Sequence, residues 1–151
     1  MEVKIKLLDP RAGIPEKATA GSAGYDIRVW PKEEVTIGVG EIAVLPTGIA
    51  MEPAAGDGSE AQTAALLLGR SGLGTKHGIT LANCVGLIDS DYRGEIRVSL
   101  INNGSEPFTV RPGDRVAQLL FVPLLPVTLT PAETLADTGR SAGGFGSTGI
   151  G

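Results

Sequence analysis

The chain has 151 residues and a mass of 15.5 kDa, enough for one domain with a proper core and too little for two comfortable ones. A net charge of -4 and a pI near 5.0 exclude a surface that attracts nucleic acid generally, so any phosphate binding must be local. Cys84 is the only cysteine, which excludes an intramolecular disulfide, and 22 Gly with 10 Pro exclude long helices in favour of many turns.

Hydrophobic residues make up 42% of the chain and aromatics 4%, so the core must be built from Val, Ile, Leu and Ala rather than from rings. Val3 to Leu8 alternates charged and aliphatic residues as a first strand, without the continuous apolar stretch of a signal peptide. Asp9 to Gly13 turns the chain, and Ala20 to Gly24 forms a close-packed loop feeding a strand from Tyr25 to Trp30. Asp26 lies inside that apolar strand, where an unpaired carboxylate is costly, and Arg70 is its expected partner. The alternative is a solvent-facing Asp on an edge strand. Three short strands follow, over Val35 to Val39, Ile42 to Leu45 and Ile49 to Met51, at the spacing of a barrel or sandwich. Glu52 to Thr63 reads as a surface loop without chemistry.

Ala64 to Leu68 resumes a buried run and delivers Gly69-Arg70-Ser71-Gly72. Ser71 suits the cap of a short helix ending near His77, and a helix start also offers free N–H groups to an anion. His77 has no second histidine or cysteine at metal-ligand spacing and reads as a surface residue. Gly78 to Ala82 is another strand, ending at Asn83, whose amide both donates and accepts. Cys84 reads as a buried strand thiol. The stretch Gly86 to Glu95 then sets Asp89, Asp91 and Tyr92 between two apolar runs, Val85 to Ile88 and Ile96 to Leu100, and reads as a long-tipped hairpin. A solvated turn whose Asp side chains bond their own backbone is the plainer alternative. Ile96 to Asn102, Phe108 to Val110 and Arg115 to Phe121 complete the strands, with Gln118 a polar residue on the last. The apolar run from Leu119 to Val127 is broken by Pro123 and Pro126 and is too short to span a bilayer, so a soluble, cytoplasmic protein is expected. From Gly139 onward the chain is a Gly-rich tail holding Arg140, Phe145, Gly146, Ser147 and Thr148, which provide a cation, a ring and hydroxyls. Such a segment can fold over a nucleotide. The expected division is a β domain over residues 1–138 and a flexible lid over 139–151.

Five segments occur in a fixed order: Ala23-Gly24-Tyr25-Asp26-Ile27, Arg70-Ser71-Gly72-Leu73-Gly74, Asn83 to Glu95, Gly113-Asp114-Arg115-Val116-Ala117-Gln118, and Arg140 to Gly149. Each alone is weak, but together and in order the chain resembles the trimeric, all-β dUTP diphosphatases from Ala23 to Gly149. The resemblance implies a jelly-roll-like barrel or sandwich with at most one short helix, assembled as a homotrimer whose sites draw on several subunits. It implies hydrolysis of dUTP to dUMP and pyrophosphate, which limits uracil incorporation into DNA and supplies dUMP for thymidylate synthesis.

Within that resemblance Asp89 is the catalytic base, Asn83 reads uracil and Tyr92 packs on the deoxyribose. Arg70, Ser71, Gly72 and Gln118 meet phosphates, with Asp26 supporting Arg70 from beneath. Arg140, Ser147 and Thr148 meet the γ-phosphate while Phe145, beside Gly146, stacks on the base. Magnesium is expected through the phosphates and waters, with no direct protein ligand. Gly69 departs from the Pro that many relatives carry before this Arg, which bears on the rigidity of the loop. A dCTP deaminase on the same fold would need a Glu where Ser99 stands, with Glu95 out of register. A non-catalytic dUTP-sensing regulator on the same fold is the reading from a different class.

Overall fold

The computed structural model describes residues 2–53, 62–139 and 141–142. These form the strands β1 (Val3–Leu7), β2 (Tyr25–Arg28), β3 (Val35–Ile37), β4 (Ile42–Pro46), β5 (Ile49–Pro53) and β6 (Thr63–Gly69), then the helix α1 (Ser71–His77). The strands β7 (Ile79–Leu81), β8 (Gly86–Ile88), β9 (Arg97–Asn102), β10 (Phe108–Val110) and β11 (Arg115–Pro123) follow. The described fold is therefore mostly β with one short helix, as the frequency of Gly and Pro implies. Its helix is no candidate for crossing a membrane.

Every strand pairing is antiparallel. One sheet has the order β2-β11-β6-β8, a second β4-β9-β7, and two ribbons pair β1 with β5 and β10 with β3. Ile27, Leu67, Ala117 and Leu119 of the first sheet share one buried cluster with Leu45, Val98, Leu100, Ile79 and Leu81 of the second. Aliphatic alternation drives this packing. In β9, Val98, Leu100 and Asn102 point inward while Arg97 faces solvent, and Ser99 and Ile101 are half-buried. Burying each Val, Leu or Ile side chain contributes about 1.5–3 kcal/mol.

The inward polar residue of β9 is fully satisfied. The Asn102 amide donates to the carbonyls of Ile37 (2.9 Å) and Glu106 (2.8 Å), and its oxygen accepts from the Gly104 N–H (2.9 Å). One buried side chain thus joins β9 to β3 and to the loop before β10. Gly78 closes α1 in the left-handed region (φ 68°), with its N–H on the Gly74 carbonyl. Gly104 packs against it so closely that a side chain at Gly78 would strike the Gly104 backbone.

Several expectations change. The strands on either side of Asp89 do not pair: β8 joins β6, whereas β9 joins β4 and β7, so the stretch is a corner between two sheets and not a hairpin. Each flanking run had a better neighbour elsewhere, which local alternation cannot reveal. Cys84 is exposed, with φ 62°, in the turn between β7 and β8, and is not a buried strand thiol. The expected loop at Glu52 begins later, because β5 runs on to Pro53, where Glu52 pairs with Lys4 at 3.0 Å. Residues 54–61 of that loop lie outside the described residues. The last strand runs two residues beyond the expected Phe121, to Pro123.

Removing the Asn102 amide takes one hydrogen bond from each of two carbonyls and an N–H, so Asn102→Ala should destabilise the fold by about 2–4 kcal/mol in chemical denaturation. A second expectation concerns Asp9, whose carboxylate accepts from the side chain of Arg11 at 2.7 and 3.0 Å and from its backbone N–H at 2.9 Å. The Arg11 side-chain hydrogen bonds, first among the causes, lower its pKa from 3.8 to about 2. Since the folded value is depressed, the stabilisation is fully present above the unfolded value and is lost as pH falls through about 2. NMR titration of the Asp9 carboxyl carbon should give that low midpoint, returning to the ordinary range in Arg11→Met.

Candidate active site

The connection from β8 to β9 lines a cavity of about 280 Å³. Asn83, Asp89 and Tyr92 all line it, together with Leu67, Leu81 and Ile88 from the core side. Local chemistry explains the shape of this corner. Ile88 is buried and ends β8, after which the Tyr92 N–H bonds the Asp89 carbonyl at 3.2 Å to close a turn. The chain then reaches Ile96, which is buried. Asp89 and Asn83 are exposed at the mouth, and among the described residues nothing pairs with the Asp89 carboxylate or the Asn83 amide. An unpaired carboxylate at a cavity wall can orient a water and take its proton.

Tyr92 is held more firmly. Its hydroxyl donates to the Glu95 carbonyl at 3.1 Å, and its ring lies against Gly94, where any side chain would collide with the phenol. Arg93 turns away from the cavity, donating to the Ser90 carbonyl at 2.7 Å with Glu52 3.9 Å from its Nε.

A second polar cluster forms where β2, β11 and the end of β6 meet. The side chain of Asp26 is 10% exposed and lies between two guanidinium groups, Arg115 at 2.9 Å and Arg70 at 3.6 Å. Arg70 also donates to the Arg115 carbonyl at 2.9 Å. Asp26 therefore has the partner that the sequence suggests, and a nearer one that it does not. Pairing two cations with one carboxylate is favourable here because the shared anion offsets their mutual repulsion. Gln118 stands opposite Asp26 in the β11–β2 register, with no described partner for its amide.

Ser71 corrects one expectation. It is the first helical residue and not the cap; Arg70 is the cap, in extended geometry (φ -85°, ψ 129°), and no side chain caps the helix. The Arg70 carbonyl accepts from Leu73 (3.1 Å) and Gly74 (3.0 Å), which leaves Ser71 and Gly72 exposed. Arg70 and Arg115 line a different cavity, of about 380 Å³, from the one that Asp89 lines. Within one chain the structure thus gathers Asn83, Asp89 and Tyr92 in one place and Asp26, Arg70 and Gln118 in another. Arg140, Phe145, Gly146, Ser147 and Thr148 lie outside the described residues.

Sequence reasoning missed Arg115 as a partner of Asp26, since 89 residues separate them and only the β2–β11 pairing brings them together. It also missed Glu95, whose carboxylate accepts from the Gly48 N–H at 2.9 Å. The signal for Glu95 in the sequence is an acid set directly before the apolar Ile96 at the start of a strand, where a carboxylate drawn towards the core needs a donor.

The model of the dUTPase family matches residues 11–149. The chain is 52% identical over 151 residues to the deoxyuridine 5'-triphosphate nucleotidohydrolase of Neisseria gonorrhoeae, with 99% of this chain and 97% of that protein covered. It is 48% identical over 153 residues to the protein of the same name from Desulfitobacterium hafniense, covering 98% and 97%. Among solved structures, the dUTPase of Staphylococcus bacteriophage 80alpha with dUPNHPP superposes with a TM-score of 0.85 at 26% identity, covering 99% of both chains. A mutant dUTPase from phage phi11 of S. aureus, described with a structural Mg(II) ion, gives 0.75 at 25% identity, covering 89% and 98%. With the family match running through both polar clusters, the chain belongs to the dUTPase family.

Proposed function

We propose that the protein hydrolyses dUTP to dUMP and pyrophosphate, with Asp89 as the general base. The observation that carries this reading is the convergence of Asn83, Asp89 and Tyr92 on one cavity in a chain of this family. Asn83 presents a donor and an acceptor to the edge of uracil. Tyr92 lies against the deoxyribose, where a 2′-hydroxyl would collide with its ring. Asp89 takes a proton from a water whose oxygen attacks the α-phosphorus. The bond from that phosphorus to the bridging oxygen breaks, and pyrophosphate leaves with the electron pair. Ser71, Gly72, Gln118 and Arg70 meet the phosphates, and Asp26 with Arg115 keeps Arg70 extended towards them.

Magnesium enters with the substrate. Among the described residues no three carboxylate, imidazole or thiol groups converge on a single point. An ion that keeps most of its waters suits a triphosphate better than the single free carboxylate of Asp89. When bound it neutralises and orients the phosphates.

The working unit in this reading is a homotrimer of jelly-roll subunits in the cytoplasm. Two features support assembly: Asp89 and Arg70 line separate cavities of one chain, and Leu125, Val127, Leu129 and Leu135 beyond β11 are each more than 70% exposed. Bare apolar side chains in such a run call for a partner surface. Residues 1–138 form the β domain. Residues 139–151 form a lid that brings Arg140, Ser147 and Thr148 to the γ-phosphate and Phe145, beside Gly146, onto uracil. Deamination of dCTP is disfavoured because Ser99 lines the cavity where that chemistry needs an acid.

The test is pyrophosphate release from dUTP with magnesium present. Asp89→Asn should lower kcat about 10²–10⁴-fold, the worth of a positioned base, and a variant at full rate refutes that assignment. Truncation after Asp137 should abolish turnover while leaving the thermal transition unchanged. Sedimentation of the intact chain should give three times the monomer mass, and a monomer at assay concentration refutes the shared site.

A further inference from the structure

We propose that Glu95 is a positioning residue that sets the sugar specificity of the Asp89 cavity by fixing the carbonyl to which Tyr92 is tethered. This rests on the reading of that cavity as a deoxynucleotide site. Tyr92 is 46% exposed, so burial alone would leave its ring free to swing. Two contacts restrain it: the hydroxyl donates to the Glu95 carbonyl, and the ring lies against Gly94. The restraint is only as rigid as Glu95 itself.

Glu95 is tied to the body of the fold through its side chain. Its carboxylate accepts from the Gly48 N–H at 2.9 Å, a charge-assisted bond. Gly48 is fixed in turn: it sits at φ 70°, its carbonyl accepts from Leu8 at 2.7 Å and from Asp9 at 3.3 Å, and a side chain there would press on Asp9 and Ala12. The next residue repeats the attachment. The Ile96 N–H donates to the Ile49 carbonyl at 2.9 Å, while the Ile96 carbonyl accepts from the buried Thr47 hydroxyl. The β4–β5 turn thus holds the chain just after Tyr92, by backbone through the Ile96 N–H of the same peptide unit and, among the described residues of the Asp89 corner, by side chain through the Glu95 carboxylate. A ring that can shift by a fraction of an ångström no longer excludes a 2′-hydroxyl.

The experiment compares kcat/KM for dUTP with that for UTP in the intact protein. Glu95→Ala should lower the ratio about fivefold or more, the worth of one hydrogen bond, while Glu95→Gln, whose amide oxygen still accepts from Gly48, should stay within about twofold of the parent. Tyr92→Phe removes the tether from the other end and should lower the ratio to a similar degree without touching the Gly48 bond. If Glu95→Ala does not fold, the other two decide: a lowered ratio in Tyr92→Phe with a retained one in Glu95→Gln supports the proposal. An unchanged ratio in Tyr92→Phe, or an equal loss in Glu95→Gln and Glu95→Ala, overturns it. A parent protein that does not turn over dUTP is a distinct failure, of the functional reading itself, and removes the basis of this inference.

Discussion

The joint between the β4–β5 turn and the start of β9 governs the candidate site. A connection of eight residues between strands of different sheets has many conformations open to it, and ordering each residue costs about 1–2 kcal/mol. That freedom is removed at the last two residues of the connection, Glu95 and Ile96, by bonds to Thr47, Gly48 and Ile49. At its other end the corner is anchored by the buried Ile88 and the β8–β6 pairing. Between these anchors the Asp89 carboxylate projects at the cavity mouth without a partner among the described residues.

The Asp26 cluster solves a different problem. An acid this enclosed would be costly alone, and two arginines this near each other would repel; together the three groups compensate. The geometry favours Arg115 as the closer ion pair, at 2.9 Å against 3.6 Å. Arg70 is thereby held by its edge and by the Arg115 carbonyl while keeping donors for an anion. The two clusters lie on opposite flanks of β6, which pairs with β11 on one side and β8 on the other. One strand thus supports both the Asp26–Arg70–Arg115 cluster and the wall of the Asp89 cavity.

Strand positions were legible in the sequence because a two-residue period is a local property. The alternation of Val98 and Leu100 with Arg97 and Ser99 gave β9 directly, and the buried run Ala64–Leu68 gave β6. Pairing was not legible, because it depends on which distant strand offers the best complement. The corner at Asp89 therefore read as a hairpin, and Arg115 was overlooked beside Asp26. Cys84 was misplaced for a related reason: an apolar neighbourhood in sequence suggested a strand, whereas the change of direction from β7 to β8 required a turn with a positive φ there. The grouping of Asn83, Asp89 and Tyr92 was legible since they fall within ten residues of one another.

A core poor in rings leaves one optical consequence. Trp30 is the single tryptophan, its backbone N–H bonded to the Pro46 carbonyl, with the Arg11 guanidinium 5.8 Å above its ring. It lines the same cavity as Asp26 and Arg115 and is not part of the one that holds Asp89. Its fluorescence is therefore a native spectroscopic reporter of the arginine-rich flank, placed to register charge arriving there while remaining blind to events in the Asp89 cavity.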